Sequence, residues 1–154
     1  MSKAKFVYVT YIRSTPAKVW KRLLDAEFTR RYWEHLNVSN WKRGSKWEHV
    51  STRKGERGDV DIVGKVVECK PPKRLVITWA TPAQAAKPSK NSRVTLEIEP
   101  VAKRTGMVRL TVTHDQLEPR SGMLKGITDG WPRVLASLKS MLETGRPLKT
   151  WAGH

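Results

Sequence analysis

The stretch at residues 122–144, GMLKGITDGWPRVLASLKSMLET, constrains the fold most strongly. Its apolar residues recur at three- and four-residue steps and predict one wide stripe along a long helix: Leu124, Ile127, Trp131, Val134, Leu135, Leu138, Met141 and Leu142. Gly145 stands where a C-cap glycine belongs, and Pro147 prevents further helix. About 20 helical residues extend about 30 Å, so this stripe is long enough to be covered by a whole sheet.

Three residues inside this helix break its regularity. Gly126 and Gly130 leave patches without side chains, where another backbone or a ligand can come close. Pro132 removes one helical hydrogen bond and predicts a kink or a restart of the helix at that point.

Alternating apolar residues predict antiparallel strands with one covered face. Residues 5–13 form the first such strand, and residues 92–100 and 106–115 form the last two. The residues expected to face inward on these strands are Phe6, Tyr8, Thr10, Ile12, Val94, Leu96, Ile98, Val108, Leu110, Val112 and His114.

Two short helices and several short strands are predicted in between. Pro16, after the possible caps Ser14 and Thr15, begins a helix, and a second helical piece follows Asp25. Glycines and a Pro-Pro pair then mark the reversals of short strands, one of which places Leu75, Ile77 and Trp79 on one face. Residues 81–91 are predicted to be a loop and a candidate lid.

Length and composition predict one domain over residues 1–154, with a core at about 5–147 and a short disordered tail at 148–154. There is no run of about 18 apolar residues that predicts a membrane span. The N-terminus lacks the apolar core of a signal peptide, and the one cysteine, Cys69, cannot form an internal disulfide. We therefore expect a cytoplasmic protein.

The net charge of +16, from 30 Lys and Arg against 14 Asp and Glu, favours contact with polyanions. The cations are scattered along the chain, and neither zinc-finger spacing nor an RNA-binding aromatic signature accompanies them. We interpret them as a solvated basic surface that makes weak, nonspecific polyanion contacts.

Few residues suggest catalysis, and no catalytic residue, metal site or cofactor is predicted. His114, at the end of an inward strand face, can anchor a ligand or act as a general acid-base group, although a hydrogen-bonded structural histidine is the favoured interpretation. Tyr8, Thr10 and His49 are further polar candidates. His35 and His49 lack partners at metal-ligand spacing, and Asp61 is predicted to face solvent.

Four of the seven tryptophans bear on a binding site. Trp20 and Trp131 lie on helical apolar stripes, for which core packing is the favoured interpretation. Trp79 ends an inward strand face, and Trp33 lies in the second short helix near a plausible entrance. Indoles at these positions can stack on a flat aromatic ligand.

Several segments together resemble one known family. These are STPAKVWKRLLD, NWKRGSKW, GKVVECKPPKRLVITW, SRVTLEIEP, RLTVTHDQL and GWPRVLASLKSMLETG. They are similar to the START-related SRPBCC superfamily, in the branch named after the C-terminal domain of the activator of heat-shock protein 90 ATPase. The resemblance covers roughly residues 5–147, and Pro132 departs from the family's pattern.

The resemblance implies an α+β helix-grip fold, in which a curved antiparallel sheet wraps around a long C-terminal helix, with two short helices after the first strand. It also implies a cavity between helix and sheet that binds a small hydrophobic or aromatic ligand. Combined with the inward faces above, it gives as ligand-binding candidates Tyr8, Thr10, Trp33, Trp79, Leu96, Leu110, Val112, His114, Ile127, Trp131 and Leu135.

Three other functions stay open beside ligand binding. One is a cyclase or hydrolase that uses polar residues of the cavity, and another is a nucleic-acid binder. The third is a co-chaperone of heat-shock protein 90, which we rank low because the eukaryotic activator carries a separate N-terminal domain for which 154 residues leave no room. We expect a monomer or a weak dimer.

Overall fold

A computed structural model describes residues 2–52, 58–103 and 105–149 of the chain. Its strands and helices, in chain order, are β1 (Ala4–Arg13), α1 (Pro16–Leu24), α2 (Ala26–Trp33), β2 (His35–Val38), β3 (Lys46–Ser51), β4 (Val60–Lys70), β5 (Arg74–Trp79), β6 (Ser92–Pro100), β7 (Met107–Leu117) and α3 (Gly122–Thr144).

The seven strands form one antiparallel sheet in the order β1-β7-β6-β5-β4-β3-β2. The sheet curls around α3, whose stripe packs on its inner face, so the predicted helix-grip fold is confirmed. Leu75, Ile77 and Trp79 of β5 are buried together with the inward residues of β6 and β7. The period-two pattern of the sequence therefore identifies the face that α3 covers.

Side-chain N-caps begin the two short helices where the sequence suggests. Thr15 Oγ1 accepts a hydrogen bond from the backbone N–H of Lys18, and Asp25 Oδ1 accepts from those of Glu27 and Phe28. Glu34 then adopts a left-handed conformation, with φ of 60°. That residue ends α2 and turns the chain directly into β2, which places Trp33 and His35 close to the same end of the sheet.

Helix α3 runs without interruption through Pro132, so the restart predicted there is wrong. Ser121 caps its N-terminus by accepting from the backbone N–H of Leu124, and Gly145, with φ of 83°, ends it as predicted. The apolar stripe on both sides of Pro132 is buried against the sheet, and this packing holds the helix together where the ring removes a hydrogen bond.

Two segments outside the elements are held by side-chain hydrogen bonds. Asn91 Nδ2 donates to the carbonyl oxygens of Ala85 and Lys87, which closes the 81–91 loop on itself. Leu148, in the predicted tail, donates its backbone N–H to Ser137 Oγ on α3. The rest of that tail, residues 150–154, lies outside the described residues. No helix of the described ranges is long and apolar enough to span a membrane.

Candidate functional site

A cavity of about 250 Å³ lies between α3 and the end of the sheet formed by β3, β4 and β5. The end of α2 closes one side of it. Its lining is mostly aromatic and apolar, and the polar side chains of His35, His49 and Asp61 lie at one end. The complete lining is Trp33, His35, His49, Asp61, Ile62, Trp79, Gly126, Ile127, Gly130, Trp131 and Val134.

Three indoles from three separate elements form the walls of this cavity. Trp33 ends α2, Trp79 ends β5, and Trp131 lies midway along α3. The ring centroids are 5.3 Å apart for Trp33 and Trp131, 5.7 Å for Trp79 and Trp131, and 6.4 Å for Trp33 and Trp79. At these distances the three rings pack directly on one another, and the surfaces that they leave free give the cavity an aromatic wall.

Helix α3 presents backbone instead of side chains at the mouth of the cavity. Gly126 and Gly130 are one turn apart and both line it, as the sequence suggested. A β-carbon built on Gly126 has no neighbouring atom within 4 Å. The missing side chain at this position therefore leaves open space beside the indoles.

A pair of stacked histidines forms the polar end of the cavity. His35 on β2 and His49 on β3 have ring centroids 4.0 Å apart and planes 4° apart. Asn37 lies directly across from His49 in the β2–β3 ladder, and its Oδ1 is 2.5 Å from His49 Nδ1. Strand pairing thus holds the two rings against each other at diagonal positions of the ladder.

Asp61 joins this pair because β4 contains a bulge. Val60 pairs with Val50 and Ile62 with His49, so Asp61 is the extra residue between them. A bulge redirects the side chain of its extra residue, and Asp61 Oδ2 lies 2.9 Å from His35 Nε2. The Asp61 side chain is 45% exposed, as the alternation of the sequence predicted, and the bulge adds a contact with His35 that the alternation does not predict.

Both ring nitrogens of His35 face hydrogen-bond acceptors. Its Nδ1 lies 3.1 Å from the carbonyl oxygen of Trp33, and its Nε2 faces the carboxylate of Asp61. These two contacts tie the ring to the end of α2 and to the bulge of β4, and so fix it beneath the ring of His49.

The environment of His49 keeps that ring neutral. Burial lowers its pKa well below the ordinary value, and the neighbouring charge of His35 lowers it further. Because Nδ1–H donates to Asn37 Oδ1, Nε2 carries the lone pair. Within the described residues, Nε2 has no hydrogen-bond partner, which leaves an acceptor at the cavity wall.

Trp79, whose ring centroid lies 5.7 Å from that of His49, supplies a donor without a partner. The N–H groups of the neighbouring indoles are satisfied, since Trp47 Nε1 donates to the carbonyl oxygen of Thr78 at 2.8 Å and Trp131 Nε1 donates to His114 Nδ1 at 3.0 Å. Trp79 Nε1 is buried and has no hydrogen-bond partner among the described residues. A buried donor left in this state costs about 1–3 kcal/mol.

His114 supports the walls of the cavity and does not line it. It is fully buried, its Nδ1 accepts from Trp131, and its Nε2 lies 2.8 Å from Ser92 Oγ. Ser92 in turn donates to the carbonyl oxygen of Trp79 at 3.0 Å. Burial lowers the pKa of His114 to about 3. This series of hydrogen bonds fixes two of the three indole walls, Trp79 and Trp131, and it agrees with the structural interpretation of His114.

Four of the eleven predicted ligand-binding residues line the cavity, namely Trp33, Trp79, Ile127 and Trp131. The other seven lie outside its lining, six of them on strands β1, β6 and β7 and Leu135 on α3: Tyr8, Thr10, Leu96, Leu110, Val112, His114 and Leu135. Leu96, Leu110, Val112 and Leu135 are buried in the core, because α3 and the sheet meet closely along that part of the interface. Ligand contact at these positions stays a prediction.

Sequence reasoning missed most of the polar end. His35 and Asp61 were not among the candidates, and His49 was only a minor one. The signal was present in HLN and WEHV, in which an alternating pattern places His35 and Asn37, and Trp47 and His49, on one face each. No three His, Cys, Asp or Glu side chains of the described residues converge as metal ligands.

The 81–91 loop lies over a different cavity, so the predicted lid does not cover the site. This larger space, about 820 Å³, is on the outer face of the sheet and is bounded by the loop residues Ala85, Pro88 and Ser89. Lys65 and Arg93 also line it. Weak polyanion contact at this basic face remains a prediction.

The sequence matches the family model described as "Activator of Hsp90 ATPase homolog 1-like protein" over residues 13–143. That range runs from the end of β1 nearly to the end of α3, and therefore includes every residue that lines the cavity. No curated protein sequence matches the chain.

Solved structures share the fold at low sequence identity. A Mesorhizobium loti protein is 23% identical, with a TM-score of 0.74 over 91% of this chain and 97% of that one. The Aha1 dimer from Colwellia psychrerythraea is 18% identical, with a TM-score of 0.73 over 92% and 98%. An HSP90 activator from Plasmodium falciparum is 20% identical, with a TM-score of 0.69 over 94% and 99%.

Proposed function

The chain belongs to the family of activator of Hsp90 ATPase homolog 1-like proteins, and we propose that this member binds a hydrophobic or amphipathic small molecule between α3 and the sheet. The observation that carries the proposal is the indole-walled cavity of about 250 Å³ beside Gly126 and Gly130. The three large rings pack on one another there, and the cavity lies beside them, against the two glycines.

The size of the cavity limits the guest. An apolar cavity of ~150 Å³ holds one benzene molecule, so this cavity has room for a two-ring aromatic or a short branched chain. Burial of the guest's apolar surface supplies roughly 25 cal/mol per Å², and the polar end at His49 sets its orientation.

Shift mapping by NMR tests the proposal on the unmodified chain. Titration with a library of lipids, flavonoids and aromatic acids is expected to move backbone and indole signals of Trp33, Trp79, Trp131 and Gly130 together. Shifts scattered over the basic surface, with these four signals unmoved, would contradict binding in the cavity.

Replacement of Gly126 by leucine is expected to block binding. No atom lies within 4 Å of a β-carbon at this position, so the leucine fits without backbone strain and occupies the mouth of the cavity. We expect the affinity for any ligand found in the library to fall at least tenfold, as measured by titration calorimetry.

Gly122→Leu is the matched control for that variant. Gly122 lies one turn earlier on α3, its β-carbon also meets no atom within 4 Å, and it does not line the cavity. The affinity of the Gly122→Leu variant for the same ligand is expected to stay within about twofold of that of the unmodified chain. Equal affinities for both leucine variants would place the ligand elsewhere.

A second candidate function is contact with heat-shock protein 90. The family description and the name of the Plasmodium protein suggest it. The outer face of the edge strand β1 exposes Val7, Val9 and Tyr11, each 44–49% accessible, and exposed apolar patches often mark protein contacts.

The two candidates respond to different substitutions. If the chain activates the chaperone through β1, stimulation of the chaperone's ATPase is expected to fall severalfold in Val9→Asp and to persist in Gly126→Leu. Absence of stimulation by the unmodified chain would remove this candidate and leave the cavity proposal unaffected.

A further inference from the structure

We propose that the guest of this cavity is a hydroxyl-bearing aromatic of the phenol class, whose oxygen lies between Trp79 Nε1 and His49 Nε2. The inference rests on the proposed function and adds the chemistry of the ligand. It follows from one donor and one acceptor that the described part of the protein leaves unpaired, on two rings that both line the cavity.

The donor is held in place. The carbonyl oxygen of Trp79 accepts from Ser92 Oγ, its ring packs 5.7 Å from that of Trp131 and 5.4 Å from that of Trp47, and its side chain is 6% exposed. Trp79 therefore cannot easily turn its N–H toward solvent. A buried indole N–H usually finds a partner, and because the Trp79 ring lines the cavity, a guest seated against that ring can supply one.

The acceptor is fixed by its neighbours as well. Asn37 Oδ1 accepts from Nδ1 of His49, which assigns the lone pair to Nε2. Burial of His49, and the ring of His35 stacked 4.0 Å from it, both disfavour a second proton on His49. His49 thus offers an acceptor, and the Trp79 ring lies 5.7 Å from it.

A hydroxyl is the small group that meets both requirements. Its oxygen accepts from Trp79 Nε1–H while its own O–H donates to His49 Nε2. A carboxylate or an ether oxygen can only accept hydrogen bonds. Its lone pairs would face the lone pair of His49 Nε2, and the two acceptors would repel each other. An ammonium group donates only and leaves Trp79 unpaired. The indole walls and the volume of the cavity select a flat apolar body for this hydroxyl.

Three ligands of nearly equal shape test this selection on the unmodified chain. 2-Naphthol carries the hydroxyl, 2-methoxynaphthalene only accepts, and naphthalene does neither. One hydrogen bond contributes about 1 kcal/mol, so 2-naphthol is expected to bind about tenfold or more tightly than naphthalene, with the methoxy compound in between. Titration of ¹⁵N-labelled protein gives the dissociation constants, and the Trp79 indole N–H signal is expected to move downfield with 2-naphthol.

Trp79→Phe tests the donor, with Trp20→Phe as the matched control. Phenylalanine keeps an aromatic wall and removes the N–H, so only the bond to His49 remains and the preference for 2-naphthol over naphthalene is expected to fall to about fivefold or less. Trp20 is half-buried on α1 and does not line the cavity, so its variant keeps the full preference.

The outcomes separate this inference from the proposed function. Equal binding of the three ligands would overturn the hydroxyl assignment and leave the cavity function intact. A preference that persists unchanged in Trp79→Phe would also overturn it. Absence of binding by all three ligands, up to their solubility limits, would contradict both. The comparison of ligands needs no variant, so an unstable Trp79→Phe cannot obscure the result.

Discussion

Gly64→Ala is expected to destabilise the protein by about 3–5 kcal/mol, more than a typical point substitution. A β-carbon at Gly64 would lie 1.9 Å from the carbonyl oxygen of Thr78 and 2.4 Å from Trp47 Nε1. Both atoms are fixed by the hydrogen bond that joins them across β4, at 2.8 Å. The added methyl group must separate the strands or break this bond, and each choice leaves buried polar groups unpaired.

Thermal unfolding followed by circular dichroism measures this effect, and for a chain of this size we expect Tm to fall by roughly 10–20 °C. Gly126→Ala is the matched control, because it adds the same methyl group where no atom lies within 4 Å. In an exposed helix interior this exchange stabilises by about 0.5–1 kcal/mol. If Gly64→Ala lost less than about 1 kcal/mol, the close approach of β4, β5 and Trp47 would be contradicted.

The architecture was predictable because it depends on periodicities. The steps of three and four between Ile127, Trp131, Val134 and Leu138 define a helix face, and the steps of two in the last strands define a sheet face. Two complementary apolar faces of similar length have few ways to bury each other, and the motifs of the family resemblance selected one of them. Pro132 shows the limit of local rules, since packing on both sides of it maintained the helix.

The candidate site was predictable in its walls but not at its polar end. Trp33, Trp79 and Trp131 lie on faces that the sequence patterns identify. The contact of Asp61 with His35 depends on a bulge in β4, which shifts the pattern by one residue. Nothing in the local sequence specifies that shift, because it arises from the pairing of three strands that bring distant residues together.

At the mouth of the cavity, too, one feature was predictable from the sequence and another was not. Gly126 and Gly130 were expected to allow close approach to α3, and both line the cavity. The loop at 81–91 was expected to act as a lid because its composition predicts mobility and because it joins two strands. Its position on the outer face follows from the curl of the sheet, which composition does not report.

Acid is expected to destabilise the protein strongly through His114. In the native state its Nδ1 accepts from Trp131 and its Nε2–H faces Ser92 Oγ, which donates onward to the carbonyl oxygen of Trp79. Every donor and acceptor in this series of hydrogen bonds has a partner only when the imidazole is neutral. A second proton would displace the Trp131 N–H and place a charge in a fully buried site.

The direction of the effect follows from the two pKa values. Burial lowers the pKa of His114 from 6.5 to about 3 in the folded protein, so between these values the unfolded chain binds the extra proton. The stabilisation from the neutral ring is therefore complete above pH 6.5 and is lost as the pH falls toward 3, at roughly 1.4 kcal/mol per pH unit. His49, whose pKa is also lowered, adds to the loss in the same direction.

Urea unfolding between pH 7.5 and 5 measures this dependence above the range in which most carboxylates titrate. The free energy of unfolding of the unmodified chain is expected to fall by about 2 kcal/mol or more over the interval. His114→Asn keeps a polar side chain that does not titrate, so it is expected to be less stable at pH 7.5 but to lose visibly less stability on acidification. If the free energy of unfolding of the two proteins fell in parallel with pH, a neutral, hydrogen-bonded His114 beneath the indole walls would be contradicted.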